Sequence, residues 1–428
     1  MAEKIIVGRT ASDKKKLGDR GAVFLGKHYV KMGETVSLSS EIYMDMARSH
    51  VVLVCGKRGS GKSYTLGVIA EAMSKLPKDV SDNLSILIFD TMGVFWTMKN
   101  PNWKEEDLLR GWNSAPGEFD NLDIYTPAGY VKQQKESGIP VDYSFMINTS
   151  ELNAGDWCNA FGIDLMDSVG ILIERVIAEL QDLKKEDYDI DDILKFITSQ
   201  KNAEQKTKNA AENRFIAAKG WGLFGKSGTK IKDIVKPGRV SILDISCYNQ
   251  SAGSWGIKTL VTGLLSKKLL SERMISRKLE ELKSLEAGKS YFGFEKTIEG
   301  EKMPLVWLMI DEAHEFLPRE GKTAASDALV QLLREGRQPG ISMVLATQQP
   351  GEIHKDVITQ SDIVLSHRIT AKKDIDALNN MMQTYLLSDI QKYISNLPRM
   401  KGSAIILDDN SERIYPMQMR PRITWHGG

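Results

Sequence analysis

Two short stretches carry the residue types and spacings best suited to chemistry. The first is Gly56-Lys57-Arg58-Gly59-Ser60-Gly61-Lys62-Ser63, which fits the pattern G-x-x-x-x-G-K-[ST]. Its glycines let successive backbone N–H groups turn inward around a phosphate. Lys62 has the reach for the β- and γ-phosphates of a nucleotide, and the Ser63 hydroxyl is a ligand for Mg²⁺. Tyr64 completes the run expected to touch ATP. The second stretch is Asp311-Glu312, directly after the apolar run Leu305–Ile310. A carboxylate at Asp311 suits a metal shell reached through Ser63 or a water. A second at Glu312 suits a general base that polarises an attacking water. The plainer alternative is a carboxylate pair capping a following helix. His314 belongs to the same stretch, as a polar relay or a packed capping residue.

Other positions extend this set. Asp90 ends the apolar run 84–89, where ligands bind in open α/β sheets; it either assists Mg²⁺ or caps a loop. Gln348 follows the run 341–346 and can hydrogen-bond the attacking water or the γ-phosphate. Arg334 and Arg337 lie at the end of a helical pattern over 326–334. They either neutralise that end and pair with nearby acids or act as a finger on a neighbouring subunit's γ-phosphate, Arg337 before Arg334. Arg368 is a further trans candidate, with a structural ion pair as its alternative.

These residues need rigid elements to hold them. Val51–Cys55 is apolar and β-branched, as expected of a strand buried on both faces of a parallel sheet. Residues 64–74 carry apolar positions Leu66, Val68, Ile69, Ala72 and Met73 and read as the helix after the glycine loop. Strands are expected at 84–89, 122–125, 143–147, 240–245, 305–310, 341–346 and 363–365. Between 153 and 235 the period turns helical, with Val169, Ile173, Val176, Ile177 and Leu180 on one face, which predicts an inserted helical subdomain. Residues 256–285 read as a long helix and 286–303 as a polar surface extension. Residues 1–45 hold short β-like pieces at 5–7, 22–25 and 35–38, a small β module preceding an ATPase domain over 46–428. The run Lys14-Lys15-Lys16 reads as a solvated loop, with a DNA or partner contact as the sharper alternative. The fold class expected is α/β with a mostly parallel central sheet.

Composition narrows the partners. The 428 residues carry 57 Lys and Arg against 56 Asp and Glu, a net charge of +1. A chain that coats nucleic acid over its whole surface is more basic, so any such contact must be local, through loops or a channel. Cys55, Cys158 and Cys247 have no metal-ligand spacing and read as free thiols of a reducing compartment. There is no apolar leader at the start and no run of about 18 apolar residues, so a cytoplasmic protein without a membrane contact is expected. Phe95, Trp96, Trp103 and Trp112 either stack on bases or tether a loop to the core.

The blocks SHVVLVCGKRGSGKS, LMIDEAHEFLP, LLREGRQPGISMVLATQQP and PRITWHGG, in this order and spacing, resemble the HerA-type hexameric ATPases of the HerA/FtsK class. The resemblance implies a RecA-like P-loop fold in a hexameric ring, ATP sites between subunits, movement along double-stranded DNA and a nuclease partner of the NurA type. It gives Lys62, Ser63, Asp90, Asp311, Glu312, Arg337 and Gln348 the roles argued above. Residues 1–45 are shorter than the β-barrel usual in the family, and Lys57-Arg58 replace small or polar loop residues. The expected function is an ATP-dependent DNA translocase or helicase in DNA end processing. The alternatives are a nucleotide-gated ring that scaffolds an effector, or a secretion or packaging motor. A small-molecule kinase fits poorly with Glu312 beside Asp311, and a GTPase with the lack of an N-K-x-D-type base reader.

Overall fold

A computed structural model of the protein describes residues 4–32, 35–183, 187–250, 254–289, 303–382 and 390–427. Its strands, in chain order, are β1 (Ile5–Val7), β2 (Ala22–Met32), β3 (Thr35–Asp45), β4 (Val51–Cys55), β5 (Leu84–Asp90), β6 (Leu122–Pro127), β7 (Tyr143–Phe145), β8 (Ile147–Asn148), β9 (Phe224–Gly225), β10 (Val240–Asp244), β11 (Leu305–Ile310), β12 (Ile341–Thr347), β13 (Ile363–His367), β14 (Ser403–Asp408) and β15 (Arg413–Met419). Thirteen of them form one sheet in the order β1-β3-β2-β15-β14-β13-β4-β12-β11-β5-β10-β6-β7, while β8 and β9 pair separately. From β13 to β7 every neighbouring pair is parallel. From β13 towards β2 the pairs β13–β14, β14–β15, β15–β2 and β2–β3 are antiparallel.

The continuous apolar runs follow from burial on both faces. Side chains alternate across a strand. Val51 and Leu53 therefore join one core with Leu87, Leu308 and Leu345, while Val52 and Val54 join the other with Ile88, Met309 and Val344. The first core is covered by the helices Ala154–Phe161, Ser168–Asp182, Ile190–Ser199, Gln205–Lys219, Ser254–Lys289 and Ser326–Glu335. The second is covered by the helix Lys62–Ser74. Two of these helical starts are fixed locally: Asn153 with Asp156, and Asp189 with Asp192, form reciprocal capping boxes.

Several expectations change in the structure. β2 and β3 are each far longer than their expected pieces; β2 pairs with β15 and β3 with β2, so the N-terminal strands continue the central sheet. Lys14-Lys15-Lys16 lies on an exposed helix, Ala11–Leu17, rather than a loop, because Thr10 caps its start. The expected strand 143–147 divides into β7 and β8, which belong to different sheets. Most of the polar extension expected over 286–303 lies outside the described residues. No helix among the described residues is long and apolar enough to cross a membrane.

Candidate active site

β4 and β5 are consecutive in sequence but separated in the sheet by β12 and β11. This opens a crevice at the carboxyl ends of the strands, where such sheets bind ligands. The glycine loop leaves β4 into that crevice. Gly59 and Gly61 have φ of +74° and +107°, values a side chain would strain, and Gly61 is the residue from which the helix Lys62–Ser74 starts. The loop rests on the end of β13. The Lys57 backbone N–H donates to the Arg368 carbonyl at 3.1 Å. Thr65, in the first turn of the helix, meets His367 Nε2 through its hydroxyl at 2.8 Å, while His367 Nδ1 lies 3.1 Å from the Ser403 carbonyl. Burial pushes the His367 imidazole down to about 4, so Nδ1–H donates to that carbonyl and Nε2 accepts from Thr65. Sequence reading passed over His367 as a support; a histidine ending an apolar strand beside the loop was the available signal.

Lys62 is buried, and Lys57 and Arg58 are exposed on the rim. The Ser63 hydroxyl donates to Asp311 Oδ2 in a short contact. This brings together the two expected metal ligands from opposite halves of the chain. A hydroxyl and a carboxylate are hard oxygen donors of the kind Mg²⁺ takes alongside phosphate oxygens. Glu312 follows with φ of +51°, a left-handed conformation uncommon outside glycine. Its backbone N–H donates to Asp311 Oδ1 at 2.9 Å. Its Oε2 is buried without a hydrogen-bond partner. Burial, and then the Asp311 carboxylate, raise the Glu312 carboxyl above its ordinary range. His314 Nδ1 lies 3.6 Å from that oxygen, beyond hydrogen-bond reach, and 3.2 Å from Thr347 Oγ1 at the end of β12. Gln348 is the next residue, partly buried at the same strand edge.

Asp90 sits at the end of β5, and its carboxylate accepts from the backbone N–H groups of Met92, Gly93, Val94 and Phe95. The geometry is that of the loop cap, one of its two expected readings. Burial and the neighbouring Asp244 carboxylate raise it. Arg334 pairs with Asp356 at 2.7 Å and Arg337 with Asp362 at 3.0 Å. Arg337 precedes β12 and Asp362 precedes β13, whereas the loop follows β4; all three strands are parallel. Arg337 is thus about 20 Å from its own phosphate loop, the length of such a strand. Its own phosphate loop is therefore out of its reach. Among the aromatic residues, Phe95 is buried, Trp96 packs on the second core and Trp112 stacks near Phe24 and Lys27, while Trp103 stays exposed.

The helix Lys62–Ser74 is buried nearly all round, not on one face as its apolar positions predict. The cause is a hub that sequence reading missed. Glu71 is fully buried and accepts from Arg420, Arg422, the Ile423 and Thr424 backbone N–H groups and the Thr424 hydroxyl. The C-terminal tail is thereby strapped across the helix that carries Lys62 and Ser63. A lone acid in an apolar helix, with a paired Arg420-x-Arg422 far away, was the only trace in sequence.

A family model described as "Helicase HerA, central domain" matches residues 24–269. The DNA double-strand break repair helicase HerA of Pyrococcus furiosus is 24% identical over 176 residues, 40% of this chain and 31% of that protein. Its namesake from Sulfurisphaera tokodaii is 22% identical over 340 residues, 77% of this chain and 57% of that protein. The matched regions thus span between about a third and a little over half of those relatives. Among solved structures, VirB4 of Thermoanaerobacter pseudethanolicus superposes with a TM-score of 0.54 at 11% identity, over 93% of this chain and 96% of that one. That likeness concerns the fold, a RecA-like P-loop α/β architecture.

Proposed function

Because this chain belongs to the HerA helicase central-domain family, we propose that it is an ATP-dependent motor that moves along double-stranded DNA as a hexameric ring. In this reading it serves DNA end processing beside a nuclease of the NurA type. Residues 46–428 are the ATPase, 153–235 its helical insertion, and 1–45 a small N-terminal β module. The observation that carries the reading is the contact of the Ser63 hydroxyl with the Asp311 carboxylate, with the unpartnered Glu312 oxygen beside it.

In this reading, backbone N–H groups from Gly56 to Tyr64 cradle the phosphates and Lys62 neutralises the β- and γ-phosphates. Ser63 and Asp311 would hold Mg²⁺, which when bound spreads the charge of the triphosphate. Glu312 takes the proton of the water that attacks the γ-phosphorus as the bond to the β-phosphate oxygen breaks. Its burial and its carboxylate neighbour make it a stronger base than an exposed glutamate. Gln348 orients the water or the γ-phosphate. Arg337, remote from its own loop, serves the site of the adjacent subunit. The test is Glu312→Gln, assayed for ATP binding and for phosphate release. Retained binding with turnover reduced at least a hundred-fold is expected; turnover within a few-fold of the parent would remove Glu312 as the base and with it the hydrolytic reading of the site.

A further inference from the structure

The tail strapped to the phosphate-loop helix also meets Tyr64, the residue next to Ser63. Tyr64 follows Ser63 directly, and its hydroxyl is held twice: it accepts from the Arg422 backbone N–H at 2.6 Å and donates to Glu105 at 3.0 Å. The His426 ring stands edge-on to the Tyr64 ring, centroids 4.8 Å apart at 89°. The Arg422 guanidinium lies 5.7 Å from the same ring. The tail cannot drift there. Asn102 donates from its side chain to the Arg422 carbonyl at 3.0 Å and from its backbone to Ile423 at 2.9 Å. The Trp425 backbone N–H donates to Asn100, and the Trp425 carbonyl accepts from Arg422 at 2.8 Å. The approach is close enough that a Cβ at Gly67 would sit 2.7 Å from the Arg422 guanidinium.

The direction of the nucleotide follows from the loop. The γ-phosphate must face Asp311 and Glu312, so the sugar leaves the cradle at the other end, past the first helical turn where Tyr64 sits. We propose that the C-terminal tail closes the nucleoside end of the site, with the rings of Tyr64 and His426 forming the wall against which the base and ribose of a purine nucleotide rest. This deepens the ATPase reading above and rests on it. Burial and Arg422 hold the His426 imidazole below its ordinary value. Glu105, Lys104 and Lys401 all lie near enough to His426 to act on its charge, so the rim of the wall carries both signs. On the same short turn as Glu105, Trp103 is 63% exposed.

The experiment separates nucleoside from phosphate. Calorimetric titrations with Mg-ATP and with Mg-tripolyphosphate are made on the Glu312→Gln protein, with and without His426→Ala, and with His426→Phe as the ring-restoring variant. Loss of one aromatic contact to a base should weaken ATP about ten-fold and leave tripolyphosphate unchanged, and His426→Phe should recover most of the loss. An unchanged ratio of ATP to tripolyphosphate affinity in His426→Ala would overturn the proposal. A parent protein that binds tripolyphosphate as tightly as ATP would overturn it while sparing the phosphate loop. A parent that binds neither would bring down both.

Discussion

Glu71→Gln tests how far the tail depends on a single buried charge. Glu71 Oε1 accepts from Arg422 Nε at 3.4 Å, from the Thr424 backbone N–H at 3.0 Å and from the Thr424 hydroxyl; Oε2 accepts from Arg420 Nη1 at 3.0 Å and the Ile423 N–H at 3.2 Å. A glutamine keeps the shape but turns one oxygen into a donor, so whichever way the amide sits, N–H groups meet N–H groups. It also leaves Arg420 and Arg422, both buried, without their counter-charge. Removing one partner of a buried ion pair costs about 3–5 kcal/mol, because the remaining charge is stranded. At a urea slope of roughly 2–3 kcal/mol per molar, the unfolding midpoint should fall by about 1–2 M. Thr424→Val removes one hydroxyl donor from the same hub and should cost only about 1 kcal/mol. Urea unfolding followed by far-ultraviolet circular dichroism reads all of these. A Glu71→Gln midpoint equal to that of Thr424→Val would refute the hub.

Further outcomes are expected elsewhere. Burial works against a charge on His50, but a hydrogen bond to Asp362 at 2.7 Å and the Asp45 carboxylate 3.6 Å away outweigh it and hold the imidazole at about 9, above its ordinary 6.5. The stability this gives, on the order of 3 kcal/mol, is complete below about pH 6.5 and lost as pH rises through about 9. The denaturation midpoint of the parent should therefore fall between pH 7 and 10 more than that of His50→Gln, and parallel profiles would count against the network. Lys62→Ala should lose nucleotide affinity, measured by the same calorimetry, with Lys57→Ala much less affected because Lys57 is exposed on the rim. Arg337→Ala should bind ATP as the parent does and lose on the order of a thousand-fold in turnover. Mixing Arg337→Ala with Lys62→Ala chains should restore activity at composite sites, and a mixture no more active than its parts would remove Arg337 from the neighbour's site.

The parallel half of the sheet was legible because burial on both faces writes itself as uninterrupted apolar runs such as VVLVC and LVWLMI, the first leading into the glycine loop and the second into Asp311. The helix Ser168–Asp182 was legible through the spacing of Ile173, Val176, Ile177 and Leu180, all buried. The antiparallel half was not. β15 begins with the exposed Arg413 and carries Pro416, features that weaken a strand signal, and its pairing with β2 joins segments almost the whole chain apart. β2 and β3 were read short because Lys27 and Glu41 sit opposite each other within them. The site shows the same division. Lys62, Ser63, Asp311 and Glu312 are tied to local motifs. His367, Glu71, Arg420 and Arg422 act through contacts between distant segments, which their faint local traces do not disclose.

In the proposed motor, hydrolysis at Glu312 is coupled to DNA within a ring. The most direct measurement is steady-state ATP hydrolysis by the purified chain with and without linear double-stranded DNA, Glu312→Gln serving as the blank, on samples sized by light scattering in the same buffer. A ring-sized species whose hydrolysis rises several-fold with DNA is the predicted result. A ring whose hydrolysis is indifferent to DNA would contradict the motor.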